Sequence, residues 1–303
     1  MSTQTTGDEE PRLIERLASL YDMSAKLCAS LAQQLNASSR LEFNEPSMNI
    51  AEFDRTYGVG GHPVLGDPLK AAHEMMTAYA RSAGEFLWAV GALLAVSSEF
   101  VVAPGALIRS VTVHSALTYR LSDPFISPLE RCNLCLHFVK SARWPDPSAR
   151  KALITDVDKW ISAYGLGKPK SITQEERLVA SMFNEEEDSY NRSREPGQRR
   201  MTILRDDNFY KRLSNLVHGD PTTLLSSLVA SYEYPVANRI HVLLDSLAGL
   251  AAAYKAGNRL NDLRCGAIEG YDESYYVMTD LVAGFREVRT TAERVYQVRL
   301  RDW

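Results

Sequence analysis

Tyr210, Ser214 and His218 set two hydroxyls and an imidazole at helical spacing. At positions i, i+4 and i+8 of an α-helix the side-chain direction drifts only about 40° per step, so the three point roughly the same way. An imidazole beside hydroxyls can move protons in general acid–base catalysis, and it can equally bond a ligand or cap a helix end. Arg212 adds a cation suited to phosphate or carboxylate, and Asn215 an amide that both donates and accepts. A second polar group lies upstream at Arg109, His114 and Tyr119. If the helix carrying it packs on the Tyr210–His218 segment, His114 and His218 share an interhelical pocket, the usual place for ligand sites in helical bundles. Within one straight helix, in contrast, six positions turn Arg212 and His218 about 120° away from each other. They meet at one phosphate only if the helix ends before His218 or a second subunit completes the site.

The phrase Arg212-Leu213-Ser214-Asn215-Leu216-Val217-His218 has Arg-x5-His spacing, and the wider Tyr-x3-Ser-x3-His-Gly leads into Asp220-Pro221. This resembles the Arg-x(4 to 6)-His motif of the HEPN superfamily, a group of all-α proteins that includes metal-independent ribonucleases of bacterial toxin and antiphage systems. The resemblance covers about fifteen of the 303 residues. It implies that His218 acts as general acid/base on a ribose 2′-hydroxyl or leaving oxygen and that Arg212 stabilises the phosphate in the transition state, with Ser214 and Tyr210 beside them. It also implies RNA as partner, no metal and no cofactor, and a homodimer that pairs two motifs. Catalytic members carry a polar residue directly after the arginine, and Leu213 departs from that pattern.

The alternative is an all-α enzyme or binder of a small, mostly apolar molecule, held in a pocket lined by Tyr210, Ser214, His218 and His114, with Arg109, Tyr119 and Asn215 around it. A third reading is an interaction protein whose long terminal helix, from Asp272 to Arg301, meets a partner. Other chemistry is poorly supported by residue type. Cys132-x2-Cys135 lacks the second ligand pair that closes a tetrahedral zinc site. The Gly58–Gly61 segment has neither a preceding strand nor the Gly-Lys-Ser/Thr ending of a phosphate-binding loop, and reads as a hinge. The acidic run Glu185–Asp188 reads as a solvated charged face.

A formal net charge of -4 and a sequence pI of about 5.9 argue against an extended basic surface for nucleic acid. Four scattered cysteines do not make a disulfide framework, which points to a reducing cytoplasm. The polar, acidic start is not a secretory signal, and no apolar run reaches the about 18 residues of a membrane span.

The elements that must position these groups are helices. Leucines at helical spacing run from Pro11 to Asn36, after a disordered tail over 1–10. A loop over Ala37–Asp67 follows, too long for a simple connection and suited to a lid. Asp67-Pro68, Ser127-Pro128-Leu129-Glu130, Asp146-Pro147 and Thr173-Gln174-Glu175-Glu176 each open a helix with a capping residue or a first-turn proline. Gly84 and Gly91, seven apart, predict a close helix crossing. A polar linker spans about 185–205, and the Asp207–His218 helix closes at Gly219. Asp220-Pro221 and Pro235 open two more helices, the second through Ala256. The expected architecture is one all-α domain over 11–303, a bundle of about nine or ten helices.

Overall fold

The computed structural model describes residues 9–42, 49–97, 100, 102–141, 145–167, 175–191, 208–264 and 271–296. Among them are eleven α-helices and no strand. In chain order they are α1 (Glu9–Ser39), α2 (Ile50–Tyr57), α3 (Pro68–Val96), α4 (Val102–Leu121), α5 (Pro128–Ser141), α6 (Pro147–Ala163), α7 (Glu175–Asn191), α8 (Asn208–Val217), α9 (Pro221–Glu233), α10 (Pro235–Arg264) and α11 (Tyr271–Val295). Helices α1, α3, α4 and α10 form the centre; α11 covers α1 and α10, while α7 and α8 lie on α4. The main core joins Leu17, Leu20 and Leu31 of α1 to Leu87 and Val90 of α3, Ile108 of α4, Leu247 of α10 and Phe285 of α11. Among the described residues no helix is long and apolar enough to cross a membrane.

The all-α architecture expected from the sequence is present, with one more helix than the upper count. The extra helix, α2, lies inside the stretch read as a loop. Its Ile50, Phe53 and Tyr57 fall at helical spacing, but eight residues are too few for the pattern to stand out; Phe53 is buried in a cluster with Leu65, Leu69 and Trp160, and Ile50 and Tyr57 pack against it. Helix α2 also corrects the reading of the next helix start. Asp67 stands at the N-cap of α3 but makes no side-chain cap bond. Instead Asp54 of α2 accepts the Leu69 amide at 2.7 Å and the Lys70 amide at 3.2 Å, satisfying two of the free first-turn donors from another helix. The Ser127–Glu130 capping box is reciprocal, with the Ser127 amide donating to Glu130 at 3.0 Å and the Glu130 amide to Ser127 Oγ at 3.2 Å.

The close crossing lies between α3 and α1. A Cβ on Gly84 would stand 3.1 Å from the Ala32 carbonyl oxygen, and one on Gly91 only 2.9 Å from the Ala25 carbonyl oxygen. Three further expectations need adjustment. Helix α7 runs on to Asn191, through the first part of the segment read as linker, and α10 runs on to Arg264. Residues 1–8, 173–174 and 192–207 lie outside the described residues, so most of the expected tail and linker do too. The terminal helix is committed inward: Leu281, Phe285, Val288 and Ala292 are buried in the main core.

Candidate functional site

Helix α8 is anchored by Leu213, which is fully buried in the main core. Its end is fixed by backbone geometry. The Asp220 amide donates to the Asn215 carbonyl at 3.0 Å, and Gly219 sits at φ 65°, the left-handed conformation that glycine adopts without a Cβ penalty. The regular helix therefore stops at Val217. His218 takes the cap position and is exposed.

Tyr210, at the other end, faces α4 and α7. Its hydroxyl donates to Glu175 Oε2 at 2.5 Å, and Arg109 Nη2 donates both to that same oxygen at 2.5 Å and to the Tyr210 hydroxyl at 3.1 Å. The Arg109 guanidinium also lies 5.5 Å from the Tyr210 ring centroid. Burial first, then the bond to Glu175 and its charge, pushes the Tyr210 phenol well above its ordinary range, with Arg109 pulling the other way. The phenol is therefore a fixed donor. Helices α4 and α8 do pack together, but Arg109 and Tyr210 make the contact.

His114 stands on α4 between Tyr79 and Phe86 of α3, each ring centroid 5.6 Å away. Its Nδ1 is buried with no hydrogen-bond partner among the described residues. Burial lowers its pKa, the charge on Glu175 partly opposes this, and Arg109 adds to the lowering. Tyr119 is buried under the Arg259 guanidinium, 3.8 Å from the ring centroid. His114 and Tyr119 therefore belong to helix packing rather than to a space shared with His218.

Arg212 points the third way, towards α10. Its two terminal nitrogens donate to the two carboxylate oxygens of Asp245, Nη1 to Oδ2 at 2.8 Å and Nη2 to Oδ1. Such a fork-on-fork pair is the strongest arrangement available to these groups. The Asp245 side chain is only 5% exposed and Arg212 34%. The pair borders a cleft of about 850 Å³ between α8, α9 and α10. Asn215, Asn238 and His241 supply polar groups there, while Leu225, Val229 and Val242 supply apolar surface. A cleft of this size falls in the usual range for small-molecule sites.

The structure thus divides the expected site. Arg212 and Asn215 line the cleft; Tyr210, Ser214, His218 and His114 do not. Ser214 is half-buried on α8. Asp245, Asn238, His241 and Glu175 escaped the sequence reading because each meets its neighbours across a large sequence separation. One signal was present for Asp245: a lone carboxylate between Leu243-Leu244 and Leu247 requires a partner once that helix is buried.

The remaining motifs are structural. Cys132 and Cys135 are buried in two different clusters, burial pushes the Cys135 thiol up to about 12, and His137 Nδ1 lies 2.9 Å from the Asn133 carbonyl oxygen. No group of three or more metal-ligating side chains exists among the described residues. No family model, curated protein or solved structure matches the chain.

Proposed function

We propose that this protein binds a small amphipathic molecule in the cleft between α8, α9 and α10. The observation that carries the reading is the composition of that cleft: a closed Arg212–Asp245 pair and the amides of Asn215 and Asn238 beside Leu225, Val229 and Val242. A cleft that sets such polar groups, with the hydroxyls of Thr222, Thr223, Ser226 and Ser227, beside an apolar patch suits a molecule of both characters. This keeps the interhelical small-molecule alternative, changes its ligand from mostly apolar to amphipathic, and moves its pocket from the α4 side of α8 to the α10 side. Native mass spectrometry of the purified chain, followed by thermal-shift screening, tests it. Val229→Trp introduces an indole into the cleft from a position that is 42% exposed, so the fold is retained. Loss of the ligand-induced shift in that variant is the expected result. An unchanged shift in Val229→Trp places the binding elsewhere and overturns the reading.

A second reading, HEPN-like binding or cleavage of RNA by a cytoplasmic homodimer, is favoured by one observation: α8 ends at Val217 and leaves His218 exposed at the cap. The helical bar to a joint Arg212 and His218 site is relaxed there. Against it stands Asp245, which already occupies the Arg212 fork. Its test is RNA cleavage by the wild type and by His218→Ala, with the mass in solution measured alongside. Equal cleavage by the two proteins would sink the catalytic role of His218.

A further inference from the structure

We infer that the cleft selects an uncharged ligand over its anionic counterpart, and that Asp245 is the residue that sets this selectivity. The inference rests on the α8–α9–α10 cleft being the binding site. Arg212 would ordinarily make such a cleft a receptor for carboxylates or phosphates. Here both of its terminal nitrogens are engaged by a carboxylate from the neighbouring helix. That carboxylate is 5% exposed and is held on α10 beside the buried Leu243 and Leu247, so a diffusing anion cannot displace it without stranding a charge out of water. The other charged side chains of the cleft, among the described residues, are Lys211 and Glu233, one of each sign. With Arg212 and Asp245 the four formal charges cancel.

Beside the mutually offsetting charges of Lys211 and Glu233, what is left for recognition is neutral. Asn215 and Asn238 each offer an amide carbonyl and an amide N–H₂, which match the paired donor and acceptor edge of a carboxamide, a lactam or a heterocyclic base. Leu225, Val229 and Val242 take the hydrophobic part of such a molecule. An anion entering this space loses water and finds the Arg212 fork already taken, with the one remaining cation, the exposed Lys211, offset by the formal charge of Glu233, whereas the matching amide loses far less. Asp245 is thus a specificity residue acting through Arg212. It does not itself need to touch the ligand.

The test uses the full chain and a library of aromatic carboxylic acids, each paired with its own primary amide, with affinities read by saturation-transfer NMR. In the wild type the amide of each binding pair is expected to bind at least several-fold more tightly than the acid. Asp245→Asn keeps the shape of the side chain and releases one unit of positive charge, and the preference is expected to invert towards the acids. Glu233→Gln changes the charge of the cleft from an exposed position. Should Asp245→Asn fail to melt cooperatively, it tests the charge balance of the cleft with the Arg212–Asp245 pair left in place, and a smaller shift towards the acids is expected. Acids bound as well as amides by the wild type, or a preference unmoved in a folded variant, overturn the selectivity. Binding of neither member of any pair overturns the cleft as a site, and the selectivity with it.

Discussion

His114 pairs an uncharged imidazole with the faces of two aromatic rings, and its cost is set by pH. Its pKa in the folded protein lies below the ordinary value of 6.5, chiefly because burial penalises the charged ring. The unfolded chain therefore takes up the proton first as pH falls. Stability from this group is complete above about pH 6.5 and declines below it, until the folded ring protonates as well. The substitution His114→Phe removes the titration while keeping the aromatic stack. The difference in melting temperature between the His114→Phe variant and the wild type is expected to grow in favour of the variant from pH 7 to pH 5. A difference that stays constant with pH means the ring is already charged or solvated. The role of His114 was hard to read beforehand, because its partners Tyr79 and Phe86 sit on another helix and its lone position offers no carboxylate to suggest a mechanism.

At the scale of elements, the α1–α3 crossing separates two kinds of glycine. A methyl on Gly91 would lie 2.9 Å from both a carbonyl oxygen and a Cβ of α1, so the helices must move apart. Gly249 on α10 would meet side-chain carbons only, of Ile108 and Val111, the nearest at 3.4 Å. Gly91→Ala is expected to destabilise by up to about 2 kcal/mol, since an overpacking cost of about 1–3 kcal/mol outweighs the roughly 1 kcal/mol gain in helix propensity. Gly249→Ala is expected to be neutral or stabilising by up to about 1 kcal/mol. Urea denaturation checks both, and equal effects at the two positions contradict the crossing geometry. Helix starts and the seven-residue glycine spacing were legible in the sequence because they are local: caps, prolines and periodicity act within a turn or two. Helix α2 was not, because it is only about two turns long and its purpose, capping α3 through Asp54, is tertiary. The cleft was invisible for the same reason, being made where three helices converge.

Across the whole molecule the chain closes on itself. Tyr21 of α1 donates to the Arg239 carbonyl of α10 at 2.9 Å, and the α1 face that carries Leu13, Leu17 and Leu20 shares a core with Leu281, Phe285 and Val288 of α11. Arg264 at the end of α10 reaches back to the Ser38 and Leu41 carbonyls, at 3.0 and 3.1 Å, and burial brings its pKa down to about 10. Removing residues 271–303 therefore exposes a continuous apolar face on α1 and α10. The shortened chain is expected to lose cooperative thermal unfolding and to bind a hydrophobic dye. A truncated protein that melts as sharply as the intact one contradicts the inward role of α11 and returns that helix to a partner.

The same closure has a consequence in time. A ribosome that adds about 5–20 residues per second leaves α1 without α11 for roughly 12–50 s after it has been made. During that interval the leucines of α1 have α3 to pack against but not the last helix. Docking α11 therefore brings together segments far apart in the chain, and such non-local contacts slow folding relative to a bundle of sequence neighbours. Until α11 is made, nearly the whole core exists without its outer layer, and the apolar face of α1 stays open to other chains.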